Sequence, residues 1–259
     1  MTEEGALTAL TSADGTRGTL TISHAKGNII TESLIHMMDV SLDRLASAPS
    51  LRLLAIDSHG PDFSFGASIP DHAPGDIDRV LPKMHAVIQK LLAFPSPTAA
   101  VVRGKCLGGG FEIALACDFI FAEASATFGL PEIALGVFPP AACVLLPARV
   151  GTARATRSIL TGAPMSAQEW RDAGLVTSVS ADGSLAAEVD RWFATHLAGR
   201  SAEALRHATA AARLGLRRDV HDLLPQLETL YLDVLMKTHD AREGVAAFLG
   251  KRVPKWMDR

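Results

Sequence analysis

Two glutamates twenty positions apart carry the strongest chemical signal in the chain. Glu112 closes the glycine run Gly108-Gly109-Gly110-Phe111-Glu112, and Glu132 follows a proline in Phe128-Gly129-Leu130-Pro131-Glu132. Upstream, Phe63-Ser64-Phe65-Gly66-Ala67-Ser68 is a tight, small-residue loop able to present a backbone amide. Two carboxyl groups can move protons to and from water and carbon, and two free N–H groups can hold an oxygen as it gains negative charge. Each segment also has a plain structural reading. Glycines ahead of a helix make a tight entry turn, and Pro-Glu is a common helix start favoured by the dipole of the first turn.

The elements that must position these residues follow from patterning. Leu7 to Thr11 and Gly18 to Ser23 alternate about an Asp14-Gly15 turn and predict a hairpin. Leu34, Ile35, Met38, Leu42 and Leu45 mark one face of a helix with Thr31 as N-cap. Leu51 to Ser58 reads as a buried strand, and a helix over about 77–93 ends at Pro95-Ser96-Pro97. Val101 to Asp118 reads as strand, turn, glycines and buried helix, the rhythm of a helix-covered parallel sheet. After about Pro139 the strand signal nearly vanishes, and 186–198, 202–214, 223–236 and 241–249 read as helices. No internal repeat is visible.

These segments, in this order, resemble the crotonase (enoyl-CoA hydratase/isomerase) superfamily along nearly the whole chain. The resemblance rests on Lys26-Gly27-Asn28, the Phe63 to Ser68 loop, Gly108 to Asp118, Phe128 to Gly136, Leu160 to Ala167 and Asp240 to Leu249. It implies an α/β fold with a crotonase-like ββα spiral core over 1–195 and a helical C-terminal trimerisation region over 196–259. It further implies a homotrimer or a homohexamer built as a dimer of trimers. The partner it implies is an acyl-CoA thioester, with no separate cofactor and no metal.

The same resemblance assigns the oxyanion amides to Ala67 and Gly109 and the two catalytic carboxyls of the hydratases to Glu112 and Glu132. Substrate-binding positions carried over with it are Lys26, Phe65, Gly66, Ser68, Gly108, Phe138 and Pro139. His72 reads as a loop histidine that could meet substrate, Asp118 as a buried aspartate holding backbone amides, and Lys251 and Arg252 as exposed basic residues of the C-terminal region. Two departures from straight-chain hydratases stand out: Ser68 after the oxyanion alanine, and the stiff Phe138-Pro139-Pro140 wall. With the flanking Pro131 to Ala142 segment they resemble a subgroup acting on cyclohexa-1,5-diene-1-carbonyl-CoA, with 6-hydroxycyclohex-1-ene-1-carbonyl-CoA as product, in anaerobic benzoyl-CoA degradation. The alternatives are a straight-chain enoyl-CoA hydratase or isomerase, and, least favoured, a non-catalytic binding protein of the same fold.

Composition bounds these readings. At 259 residues, 48% hydrophobic and 20% charged, the chain can bury one large core. A net charge of −3 gives no basis for nucleic acid or an anionic membrane as partner. Cys106, Cys117 and Cys143 lack metal-ligand spacing and sit in apolar surroundings, which suits buried free thiols in a reducing cytoplasm. The acidic start Met1-Thr2-Glu3-Glu4 lacks the form of a signal peptide, and no apolar run reaches membrane-spanning length.

Overall fold

The computed structural model describes residues 5–25, 27–72 and 75–259. Strands β1 (Ala6–Thr11) and β2 (Arg17–Ser23) form the expected antiparallel hairpin, with Thr11 opposite Gly18. Asp14 closes its turn by accepting hydrogen bonds from the Ser12 hydroxyl (2.6 Å) and the Thr16 amide (3.0 Å). Helix α1 (Glu32–Ala46) starts where Thr31 accepts the Leu34 amide, and leads into β3 (Leu53–Ser58), which pairs parallel to β2. Helix α2 (Ile77–Ala93) leads in the same way to β4 (Thr98–Val102).

From here the chain alternates between two sheets. After β4, the short β5 (Lys105–Leu107) precedes helix α3 (Gly109–Ala116); after β6 (Phe119–Glu123), the short β7 (Thr127–Gly129) precedes a 3-10 turn over Pro131–Leu135 and helix α4 (Pro140–Val150). The first strand of each pair extends the large sheet and the second extends the small one. The two earlier units follow the same plan with the second strand reduced to single parallel bridges, Ile30↔Ala67 and Ser64↔Cys106. This is a strand–strand–helix spiral, and the expected α/β class holds.

Beyond α4 come α5 (Thr152–Thr161), β8 (Met165–Ser166), α6 (Ala167–Asp172), β9 (Ser178–Ser180) and α7 (Leu185–His196). The reading that strands nearly end at Pro139 therefore misses two. β9 is the parallel edge of the six-stranded sheet, ordered β1-β2-β3-β4-β6-β9, and β8 completes the three-stranded sheet β5-β7-β8. Both are too short to carry an alternating pattern.

The central strands β3, β4 and β6 of the large sheet are covered on both faces, so they read as nearly continuous apolar runs. Leu54, Ile56 and Val102 join the main core, where Phe111 of the fully buried α3 packs on Phe128 and Trp170 at 5.3 and 5.6 Å. Leu53, Ala55, Val101 and Phe121 face the other way, onto Leu185, Val189 and Phe193 of α7. Helices α8 (Ala202–Ala212) and α9 (Leu214–Thr229) follow, then a π turn (Leu230–Val234), a 3-10 turn (Leu235–Lys237) and α10 (His239–Leu249). Val220 and Leu224 of α9 are part of the main core.

Arg213, buried between α8 and α9, locks this region down. It donates to both carboxylate oxygens of Asp118 and to the carbonyls of Leu91, Leu92, Phe94 and Ser96. Asp118 also accepts the Thr98 amide at 2.7 Å, the structural role expected of it. Cys106 and Cys117 are buried free thiols, whereas Cys143 is only half-buried on α4, which corrects the expectation of three buried ones. Among the described residues no helix is long and apolar enough to cross a membrane.

Candidate active site

The Phe63 to Ser68 loop is shaped from below by Asn28, which adopts φ +52°. Its side chain accepts the His24 amide (2.8 Å) and donates to the carbonyls of His59 (2.9 Å) and Asp62 (2.8 Å). Its own carbonyl accepts the Ser64 hydroxyl (2.7 Å), and that hydroxyl in turn accepts the Gly66 amide (3.0 Å). Ile30 then donates to Gly66 O at 2.9 Å and accepts from Ser68 N at 3.0 Å. These two bonds flank Ala67 and leave its N–H pointing away from Ile30, with no protein acceptor among the described residues.

The second free amide comes from α3. Gly109 is its first residue, where N–H groups have no intrahelical partner and the helix dipole is positive. A methyl group placed on Gly109 would lie 3.4 Å from the Ala67 nitrogen, and one on Gly66 would lie 3.5 Å from the Gly109 nitrogen, so the two amides sit side by side. Gly108 reaches φ +50°, and a side chain there would stand 2.7 Å from Glu132 Oε1. Gly110 has no room for one against Ser64. The glycine triplet thus packs an amide, a carboxyl and the loop against one another.

Glu112 lies in the first turn of α3, 5% exposed, and its Oε1 accepts the Ala142 amide at 2.9 Å. Ala142 belongs to the first turn of α4, whose start is fixed by Pro139 at the cap and Pro140 at the first helical position. The double proline therefore does more than wall the pocket: it aims a helix N-terminus at Glu112. Burial raises the Glu112 pKa, opposed by the Ala142 amide, the charge of His85 and the Ala141 amide.

Glu132 sits on the Pro131–Leu135 turn, closed by Gly136 at φ +70° and packed against Gly244 of α10. Its Oε2 is buried and has no hydrogen-bond partner among the described residues. Burial, and next the charge of Glu112, push its carboxyl up to about 8. The two carboxyls thus share an environment that disfavours double ionisation. At neutral pH Glu132 therefore keeps its proton, as an acid must.

All of this opens onto one cleft of about 770 Å³, counting its mouth. Phe65 to Ser68, Gly108, Gly109, both glutamates, Phe138 and Pro139 line it, with Ile30, Val80 and Met84 as apolar walls. Lys26, expected to bind substrate, lies outside the described residues, as does the side chain of His72. Arg252 is occupied in an ion pair with Glu243. Sequence reasoning missed Tyr231, the chain's single tyrosine, which lines the cleft and meets Phe138 edge to face at 5.4 Å. Its neighbours Leu230 and Val234 are exposed, so apolar spacing alone did not say which of these side chains faces inward.

The family model described as enoyl-CoA hydratase/isomerase matches residues 18–259. The chain belongs to the enoyl-CoA hydratase/isomerase family. Among its relatives, cyclohexa-1,5-dienecarbonyl-CoA hydratase of Thauera aromatica is 41% identical over 95% of both chains. The 2,3-dehydroadipyl-CoA hydratase of Escherichia coli (strain K12) is 33% identical, covering 91% of this chain and 92% of the relative. The crystal structure of an enoyl-CoA hydratase from Mycobacterium avium subsp. paratuberculosis K-10 superposes with a TM-score of 0.86 at 30% identity, over 97% of this chain and 98% of that one. As a member of the enoyl-CoA hydratase/isomerase family, this protein is an acyl-CoA hydratase.

Proposed function

We propose that this hydratase adds water to cyclohexa-1,5-diene-1-carbonyl-CoA, giving 6-hydroxycyclohex-1-ene-1-carbonyl-CoA. The observation that carries the reading is one wall of the cleft, where Phe138 and Tyr231 pack edge to face, with Pro139 also lining the cleft. Proline fixes φ, and two interlocked rings have little freedom to move aside, so the wall is pre-shaped. Such a chamber suits a flat six-membered ring and blocks an extended acyl chain. The 41% identity to a relative named for this substrate supports it.

In this reading the thioester oxygen accepts from the Ala67 and Gly109 amides, which strengthen their hold as it gains charge. Glu112, whose ionised form the α4 amides favour, takes a proton from water as its oxygen bonds to the carbon β to the thioester. The π electrons move into a dienolate held by the amide pair. Glu132, with no hydrogen bond to favour its charged form, delivers its proton to the far end of that dienolate. The proton gained by Glu112 returns to Glu132 through solvent, which restores the pair. Reversal of these steps is dehydration. We further propose that the protein assembles as a homotrimer or a dimer of trimers through its C-terminal region.

The test is a substrate comparison followed by thioester absorbance. The cyclic diene is expected to exceed crotonyl-CoA in kcat/KM by at least about 10²-fold, near the limit of shape discrimination in an apolar pocket. Phe138→Ala should narrow the ratio. A higher kcat/KM for crotonyl-CoA or a longer linear enoyl-CoA refutes the cyclic reading and leaves a straight-chain hydratase.

A further inference from the structure

Two residues that line the cleft each carry a polar atom with no hydrogen-bond partner among the described residues. One is Glu132 Oε2, buried and unpartnered. The other is the Tyr231 hydroxyl: the side chain is 2% exposed, lines the cleft, and makes no hydrogen bond to any described residue. A buried carboxyl oxygen without a partner is uncommon and is a reason to look for a ligand atom, which a neighbouring free hydroxyl on the same cleft could also meet.

Tyr231 is also held firmly. Its ring lies edge-on to Phe138 and packs with Ile77, Val137, Met236 and Ala241. One turn earlier on the same helical run, Glu228 pairs with the buried His85 of α2 at 2.7 Å, which fixes the inward face of this segment. The residue sits on a π turn, a widening of the helix often found at functional sites. The ring is buried, but unlike Glu132 Oε2 the hydroxyl oxygen is not sealed off from the open space of the cleft that both glutamates line.

The missing partner must accept from a phenol and also interact with a carboxyl group. A water molecule, or the hydroxyl it becomes, does both. Resting on the hydratase reading, we propose that the Tyr231 hydroxyl is a third contact for the added oxygen atom, donating a hydrogen bond to it beside the two glutamates. Burial and the charges of Glu132 and Glu112 push the phenol's pKa upward, so it stays a neutral donor and keeps its proton throughout the reaction. In the hydration direction the bond orients the water. In the reverse direction it stabilises the oxygen as it leaves carbon with increasing negative charge.

The experiment compares wild type with Tyr231→Phe, which removes one oxygen and keeps the ring. Removing one such donor is expected to lower kcat/KM roughly 10-fold, and to leave KM for the unhydrated thioester within about 2-fold. A second measurement isolates the contact. In a Glu112→Gln background, where turnover is suppressed, Kd is measured for 6-hydroxycyclohex-1-ene-1-carbonyl-CoA and for cyclohex-1-ene-1-carbonyl-CoA. Adding Tyr231→Phe should weaken only the hydroxylated ligand, again roughly 10-fold. If linear substrates prove preferred, 3-hydroxybutyryl-CoA and butyryl-CoA serve as the pair. An active wild type with an equally active Tyr231→Phe variant, or equal weakening of both ligands, overturns the inference alone. A wild type that hydrates neither class of thioester overturns the hydratase reading, and this inference with it.

Discussion

The electrostatics of Glu132 make an expectation about stability that is independent of any substrate. Its carboxyl, pushed up to about 8 by burial and by Glu112, has an ordinary value of 4.5. A folded-state pKa above the unfolded one means that the folded chain binds the proton more tightly. The stability this contributes is fully present below about pH 4.5 and is lost as pH rises towards 8, because the unfolded chain ionises freely and the folded one does not. At 1.36 kcal/mol per pKa unit, the loss attributable to this group between pH 5 and 8 is roughly 3 kcal/mol. Glu132→Gln removes the titration while keeping the shape. Since Oε2 has no hydrogen-bond partner, the substitution breaks no protein contact at that atom.

The assay is denaturant unfolding of wild type and Glu132→Gln at intervals from pH 5 to 9, at fixed protein concentration. The variant should gain on wild type steadily with rising pH, by on the order of 3 kcal/mol in total, and the difference should level off above about pH 8 to 9. Its hydratase activity should meanwhile be severely reduced. Wild-type kcat should fall as pH rises through about 8, as the Glu132 proton is lost. Parallel stability profiles for the two proteins across the whole range refute the argument, because they mean that Glu132 titrates alike in folded and unfolded chains.

Glu112→Gln should lower kcat about 10²-fold or more with little change in binding of the CoA thioester, measured by steady-state kinetics and calorimetry; full activity would remove Glu112 from the mechanism. Gly108→Ala forces a side chain into φ +50° and to 2.7 Å from Glu132 Oε1, so unfolding should show a loss of about 1–3 kcal/mol, and kcat should drop with it. The exposed apolar residues Leu223, Leu230, Val234, Phe248 and Trp256 need cover in solution. Light scattering at micromolar concentration should therefore give a trimer or hexamer, and a stable monomer would sink that assembly.

What could be read from the chain was local. Thr31 caps α1, and the helix expected over about 77–93, stopped by the prolines after it, matches the bounds of α2, because caps and proline stops act over a few positions. The glutamates, the glycine run and the oxyanion loop were legible as motifs, and the cleft brings them together. The spiral was not legible, because in two of its four units the second strand shrinks to one bridged residue, Ile30 or Ser64, which leaves no period to detect.

The remaining gaps share a cause: a residue's role was fixed by a distant element. Pro139 and Pro140 read as a wall, and only the placement of α3 against α4, thirty positions apart at Glu112 and Ala142, reveals them as the start of the helix that holds Glu112. Met236 and Tyr231 belong to a helical run whose apolar spacing does not say which side faces in; both turn inward while Leu223, Leu230 and Val234 point out. What anchors that inward face is the pair of Glu228 with His85, 143 residues away. A polar atom aimed into the cleft from such a segment has no sequence signature beyond being the chain's one phenol. On the proposed reading, the carboxyl pair, set by local frames, specifies the class of reaction, whereas the wall of Phe138 and Pro139 and the hydroxyl of Tyr231, set by long-range packing, shape the chamber in which it takes place.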